Sequence, residues 1–140
     1  MNTNKTQAEQ LPQDAVMQSV LAKDLRIGNY VEYEVSDSLE KIKIYWEVIK
    51  IDADDIHWLS KVDPNDKCFR AIPLTEEWLF KLGFINDRVL EFYRNDITDS
   101  TIIIDYNFIC LLGYSHVKLK YVHELQNLYF ALTGCELTVA

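Results

Sequence analysis

An α+β fold is predicted here by two kinds of apolar spacing that occupy separate blocks of the chain. From residue 25 to residue 51 apolar and polar side chains alternate, with β-branched and aromatic residues prominent, which is the signature of half-buried strands. At 74–82 and 122–132 the apolar residues recur at helical spacing, each run closed by a glycine. Strands and helices come in groups instead of alternating one by one, so antiparallel pairing is expected and a βαβ array is not. The 140 residues, 49% hydrophobic and 26% charged, have ordinary globular composition and are too few for two domains with substantial cores.

Residues 1–11 lack periodicity and read as a flexible tail, and a single α+β domain is expected over 12–140. Val16, Met17, Val20 and Leu21 form one stripe of a short helix over 12–24, with Pro12 tolerated in its first turn. Gly28-Asn29 marks a tight turn before a strand at Tyr30–Val35. Ile42, Ile44, Trp46 and Val48 alternate with Lys43, Tyr45 and Glu47, giving a second strand with a phase change near Ile49. Asp52, Asp54 and Asp55 read as a turn, Ile56–Val62 as the partner strand of a hairpin, and Cys68–Ile72 as a further strand. Together, residues 25–72 predict a small, bent, SH3-like antiparallel sheet.

Thr75 is placed to cap a two-turn helix, with Glu76 and Glu77 in its first turn and Gly83 as its stop. Leu74, Trp78, Leu79 and Leu82 form its apolar face. Strands are expected at Leu90–Arg94 and Ser100–Tyr106, and a hairpin at Phe108–Leu112 and His116–Lys120 around Gly113-Tyr114. The uninterrupted Ile102-Ile103-Ile104 run predicts a strand covered on both faces. A C-terminal helix with the stripe Val122, Leu125, Leu128, Tyr129 and Leu132 ends at Gly134.

Twenty-two acidic against 14 basic residues give a formal charge of −8, shared evenly between the halves. Such a balance argues against a duplex-DNA binder that works by broad phosphate neutralisation. The N-terminus has no apolar signal region, and the longest apolar run, Phe108–Gly113, is far short of the ~20 residues that span a bilayer. A soluble cytoplasmic protein with no membrane partner is expected. Cys68, Cys110 and Cys135 are odd in number and contain no CxxC pair, so reduced thiols are expected and a zinc knuckle is not.

Signatures of catalysis and of cofactors are sparse. Four isolated glycines leave no phosphate-cradling loop, and no GxSxG elbow occurs. The Asp52–Asp55 run fails as an EF-hand, because His57 and Asp63 stand where the loop needs glycine and glutamate. His57 alternates with Ile56 and Trp58, which suits a structural strand residue. His116 and His123 are separated by a strand-to-helix junction, so they supply no shared metal-binding face. Cys110 near His116 lacks any local group to activate a thiol. No enzyme, cofactor or metal is expected.

Two features point to binding. Tyr30, Tyr33, Tyr45, Trp46 and Trp58 cluster in the first sheet among Lys41, Lys43 and Lys50. With Trp46 and Trp58 in the core, the tyrosines fall at the rim, and alternation sends Tyr45 and Trp46 to opposite faces. An outward ring beside Glu32, Glu34 and Glu47 suits a protein partner better than a polyanion. On the C-terminal helix, His123, Gln126 and Asn127 share one side, as a buried hydrogen-bond network or a small polar contact site.

The stretches LRIGNYVEY (25–33), AIPLTEEWLFKLGF (71–84) and YVHELQNLYFALTGCELTV (121–139) resemble a family of short uncharacterised proteins of bacterial chromosomes and prophages. Its pattern is RIGN(W/Y)V, then PIPLTEEWLLKLGF, then VHQLQNLYFALTGEEL. This chain departs from it at Cys135, where an acid is usual, and in the segment 1–24. The resemblance implies a phage-associated or mobile-element protein and brings no assigned activity.

The expectation is therefore a non-enzymatic acidic interaction protein that binds a protein partner, such as a basic nucleic-acid-binding protein. Inhibition of a host defence nuclease, an anti-CRISPR-like role, is its concrete form, because complementary fields speed encounter with a basic channel. The alternative is a single-stranded nucleic-acid module built on the aromatic sheet. A small hydrolase or transferase, with a cleft joining Cys110, His116 or His123 to carboxylates, is the third reading.

Overall fold

The computed structural model describes residues 20, 22–36, 44–63, 68–95 and 102–140. The expected helix over 12–24 therefore lies mostly outside the described residues, as do the tail 1–11, Lys41, Lys43 and the turn at 96–99. A short 3-10 turn at Ala22–Asp24 leads to Gly28, whose positive φ of 95° reverses the chain.

Strand β1 (Tyr30–Ser36) pairs along its whole length with β2 (Ile44–Lys50), and Glu32 and Tyr33 also pair with β3 (Phe69–Arg70). The first sheet thus has the antiparallel order β2-β1-β3. The expected strand Ile56–Val62 is instead helix α1 (Ala53–Leu59). Its cause is local. Asp52 Oδ1 accepts from the Asp55 N–H at 2.9 Å, and Asp55 Oδ2 accepts from the Asp52 N–H at 3.0 Å. This reciprocal cap satisfies two donors at the helix start and places acids at its positive end. Ile56 and Leu59, three apart, then dock on a small core of Val31, Ile51, Phe69 and Ala71.

Helix α2 (Glu76–Lys81) begins at Thr75, whose Oγ1 accepts from the Trp78 N–H at 3.3 Å. Strands β4 (Ile85–Asp87), β5 (Phe92–Asn95), β6 (Ile102–Asp105), β7 (Ile109–Leu112) and β8 (Ser115–Lys118) form a meander in sequence order. β4 was not expected; its three residues are too few to show a period. Ile102 and Ile104 are buried and Ile103 only half-buried, so the triple-isoleucine run is fully covered on one face and not on both.

Helix α3 (Val122–Thr133) ends at Gly134, whose φ of 71° closes the helix in the left-handed conformation that glycine adopts without strain. Its buried residues are Val122, His123, Leu125, Gln126 and Tyr129, while Leu132 is exposed. The buried stripe is thus rotated from the one expected from apolar residues alone. Leu125, Tyr129 and Val122 enter the larger core with Ile104, Leu79, Leu82 and Phe84, and the polar flank faces β1 and the turn before it.

Candidate functional site

The polar flank of α3 is built mainly from groups that find their partners far away in sequence. Gln126 is completely buried. Its Oε1 accepts from the Tyr30 N–H at 2.8 Å, and its Nε2 donates to the carbonyls of Gly28 at 3.1 Å and Leu137 at 2.9 Å. Asn29 is also completely buried. Its Oδ1 accepts from the Arg26 N–H, and its Nδ2 donates to Asn127 Oδ1 at 3.0 Å. Asn127 Nδ2 in turn donates to the Asp24 carbonyl at 3.1 Å. Gln126 and the Asn29–Asn127 pair therefore hold the 24–30 segment on α3, and a buried amide with every site matched is a structural fastener. Two of the stretches that carry the resemblance noted above, 26–29 and 126–127, are each other's partners.

His123 differs from its neighbours. It is 6% exposed, and its Nδ1 is buried without a hydrogen-bond partner. Burial lowers its pKa below the ordinary imidazole value, opposed in part by the charges of Glu124 and Asp24. The Tyr121 ring stacks on it at 5.7 Å and 10°. His123 lines a cavity of about 390 Å³ with Asp24, Tyr121, Glu124 and Asn127. Glu124 Oε2 accepts from the N–H groups of Lys120 and Tyr121, at 2.7 and 3.1 Å. The Asp24 carboxylate has no hydrogen-bond or ion-pair partner among the described residues.

A second concavity, about 370 Å³, opens between the first sheet and α1. Phe69, 4% exposed, forms its floor. Tyr33 and Trp58 flank Phe69 with ring centroids 5.0 and 5.5 Å away and planes tilted by 49° and 54°. Both flanking rings are accessible, Tyr33 at 37% and Trp58 at 42%. Asp54 and Asp55, in the first turn of α1, complete the lining together with Ile49. Asp55 is engaged in the helix cap, whereas the Asp54 carboxylate has no partner among the described residues. Three aromatic rings and an uncompensated carboxylate line the same concavity, which gives an apolar surface of negative potential.

The residues expected to act together on the first sheet divide between its faces. Cross-strand partners share a face, so Tyr33 and Glu47 lie on one side with Val35 and Tyr45. Glu32 and Glu34 lie on the other, opposite Val48 and Trp46. Glu32 is ion-paired to Arg70, whose guanidinium lies 4.0 Å from the centre of the half-buried Trp46 ring. Trp58 is exposed on α1, so the core position expected for it is corrected: on a helix its side chain leaves the sheet layer. His57 likewise sits exposed on α1 and not on a strand. Trp58, Phe69, Asp54 and Asp55 were missed as site residues, although the Asp52–Asp55 cap and the Ile56–Leu59 spacing signal a helix there.

Cys110 and His116 occupy adjacent strands, but His116 pairs with Leu111 and Cys110 with Val117. The thiol is therefore buried on the face opposite the exposed imidazole, and burial pushes its pKa up to about 11. A thiol held protonated in the core is no nucleophile. Among the described residues no group of three or more His, Cys, Asp or Glu is placed to hold a metal ion, and no helix is long and apolar enough to cross a membrane. Comparison with protein-family models, curated proteins and solved structures finds no match to this chain.

Proposed function

We propose that this chain is a non-enzymatic interaction protein that seats one Lys or Arg side chain of a basic protein partner in the Tyr33–Trp58–Phe69 pocket. The observation that supports this is that three aromatic side chains and the Asp54 carboxylate, which has no partner among the described residues, line one concave surface. A long basic side chain lays its alkyl stem on the rings and its charge against the carboxylate. The net charge of −8 adds long-range attraction for a basic surface. In this reading the partner is a basic nucleic-acid-binding protein, and an acidic chain of phage or mobile-element origin that occupies such a channel inhibits a host defence nuclease. Single-stranded nucleic acid is the weaker ligand, since Asp54 and Asp55 repel phosphates beside the rings that would stack bases.

A Lys-Gly repeat peptide tests the reading by titration calorimetry. It binds saturably and more weakly as salt rises, and Trp58→Ala lowers its affinity by about tenfold, near the upper end of cation–π contributions. The melting temperature of that variant stays close to the parent's, because Trp58 is largely outside the core. Unchanged affinity in Trp58→Ala, or equal binding of a single-stranded oligonucleotide, rejects the proposal.

A further inference from the structure

Tyr33 and Phe69 are cross-strand partners, so β1 and β3 put both rings on one face of the first sheet, and α1 brings Trp58 to the same place. The Tyr33 and Trp58 centroids lie 5.0 and 5.5 Å from that of Phe69, with planes inclined to it by 49° and 54°. Rings that line one concavity at such angles form a trough, not a flat stack. Ile49 adds a further apolar group, and Asp54 and Asp55 are the charged side chains among the described lining residues.

The chain does not fill this trough with a cation of its own. Elsewhere Arg26 lies over Phe130, Arg70 over Trp46, Lys81 over Trp78 and Lys118 over Phe108. Among the described residues no Lys or Arg lies over Tyr33, Trp58 or Phe69. The charge of the lining therefore calls for an external positive group, while its rings and Ile49 call for one with an apolar surface. A primary ammonium meets only the first demand. It is compact and strongly hydrated, and N–H groups turned to rings and Ile49 lose water without gaining a hydrogen bond of equal strength. Methyl groups in place of those hydrogens remove this cost, add contact with the rings and keep the full positive charge.

We propose that this concavity selects an N-methylated lysine of the partner, its trimethylammonium head held by Tyr33, Trp58 and Phe69 and its charge balanced by Asp54. The proposal rests on the reading of the concavity as a seat for a basic side chain and names the form of that side chain.

Titration calorimetry of the full chain with four peptides of one sequence tests it. They carry lysine, dimethyl-lysine, trimethyl-lysine or the neutral isostere in which a tert-butyl group replaces the trimethylammonium. The trimethyl peptide is expected to bind about tenfold more tightly than the unmodified one, with the dimethyl peptide between them. The neutral isostere binds about tenfold more weakly than the trimethyl peptide, because it keeps the shape and loses the charge. Trp58→Ala removes most of the preference for methylation, whereas Trp58→Phe, which retains a ring, keeps most of it. A trimethyl peptide no tighter than the unmodified one, with Trp58→Ala still weakening the latter, overturns this inference and leaves the seat for a basic side chain standing. A neutral isostere equal to the trimethyl peptide also overturns it, since the concavity is then indifferent to charge. Failure of all four peptides to bind rejects the inference and the seat together.

Discussion

Replacing Gln126 with leucine keeps the side-chain volume close to its original value and removes every polar contact the amide makes. Three backbone groups then lose their partner: the Tyr30 N–H at the start of β1 and the carbonyls of Gly28 and Leu137. All of these contacts lie around a side chain with no solvent access, so water cannot replace the amide without a cavity opening. Each buried group left unmatched costs about 1–3 kcal/mol, offset by roughly 1 kcal/mol for the added apolar surface. The expected net loss is about 2–8 kcal/mol, a large share of the ~5–15 kcal/mol that holds a domain together. Urea unfolding at neutral pH measures it as a lower midpoint. Gln126→Glu supplies the diagnostic. A carboxylate still accepts from Tyr30 but faces two carbonyl oxygens, so burial raises its folded pKa above the unfolded ~4.3. The deficit of that variant is therefore full at neutral pH and shrinks as pH falls through the raised folded pKa, where the protonated acid can donate to one carbonyl. A leucine variant within ~1 kcal/mol of the parent would refute the view of Gln126 as the fastener between α3, β1 and the C-terminal segment.

Thr75→Ala removes the cap of α2 and lowers stability by about 1 kcal/mol in the same assay, whereas Thr75→Ser retains most of it. The Tyr93 hydroxyl donates to Glu76 at 2.5 Å, and burial with that carboxylate pushes its pKa up to about 12. An unfolded tyrosine loses its proton first, so this group's share of stability is intact below pH ~10 and is lost as pH rises towards 12. Alkaline unfolding curves of Tyr93→Phe lack that component. Cys135 is exposed and Cys110 buried, so a thiol-specific chromogenic reagent modifies Cys135 at once and Cys110 only after denaturant is added.

The elements legible in the sequence are those whose causes lie within a few residues. Thr75 with two following acids, Gly83 and Gly134 as stops, the Gly28 turn and the alternation of β1 are local statements about backbone donors and φ angles, and they stand in the structure. The reading of Ile56–Val62 as a strand shows how local signals compete. The same residues alternate weakly, yet the Asp52–Asp55 cap and the landing of Ile56 and Leu59 on the small core favour a helix.

Sequence alone therefore determined the class, α+β with an antiparallel first sheet and a C-terminal helix, and it singled out Tyr33, His123, Gln126 and Asn127. Only the tertiary structure decided what those residues do. Gln126 reaches Tyr30 and Asn127 reaches Asn29 across nearly one hundred residues of chain, so no local pattern distinguishes a matched amide from the unmatched imidazole of His123 three residues earlier. Tyr33 lines a concavity because α1 carries Trp58 and Asp54 to the face on which β3 places Phe69. Burial and partner choice are properties of surfaces that meet in space. The sequence specifies those surfaces only once the chain has folded.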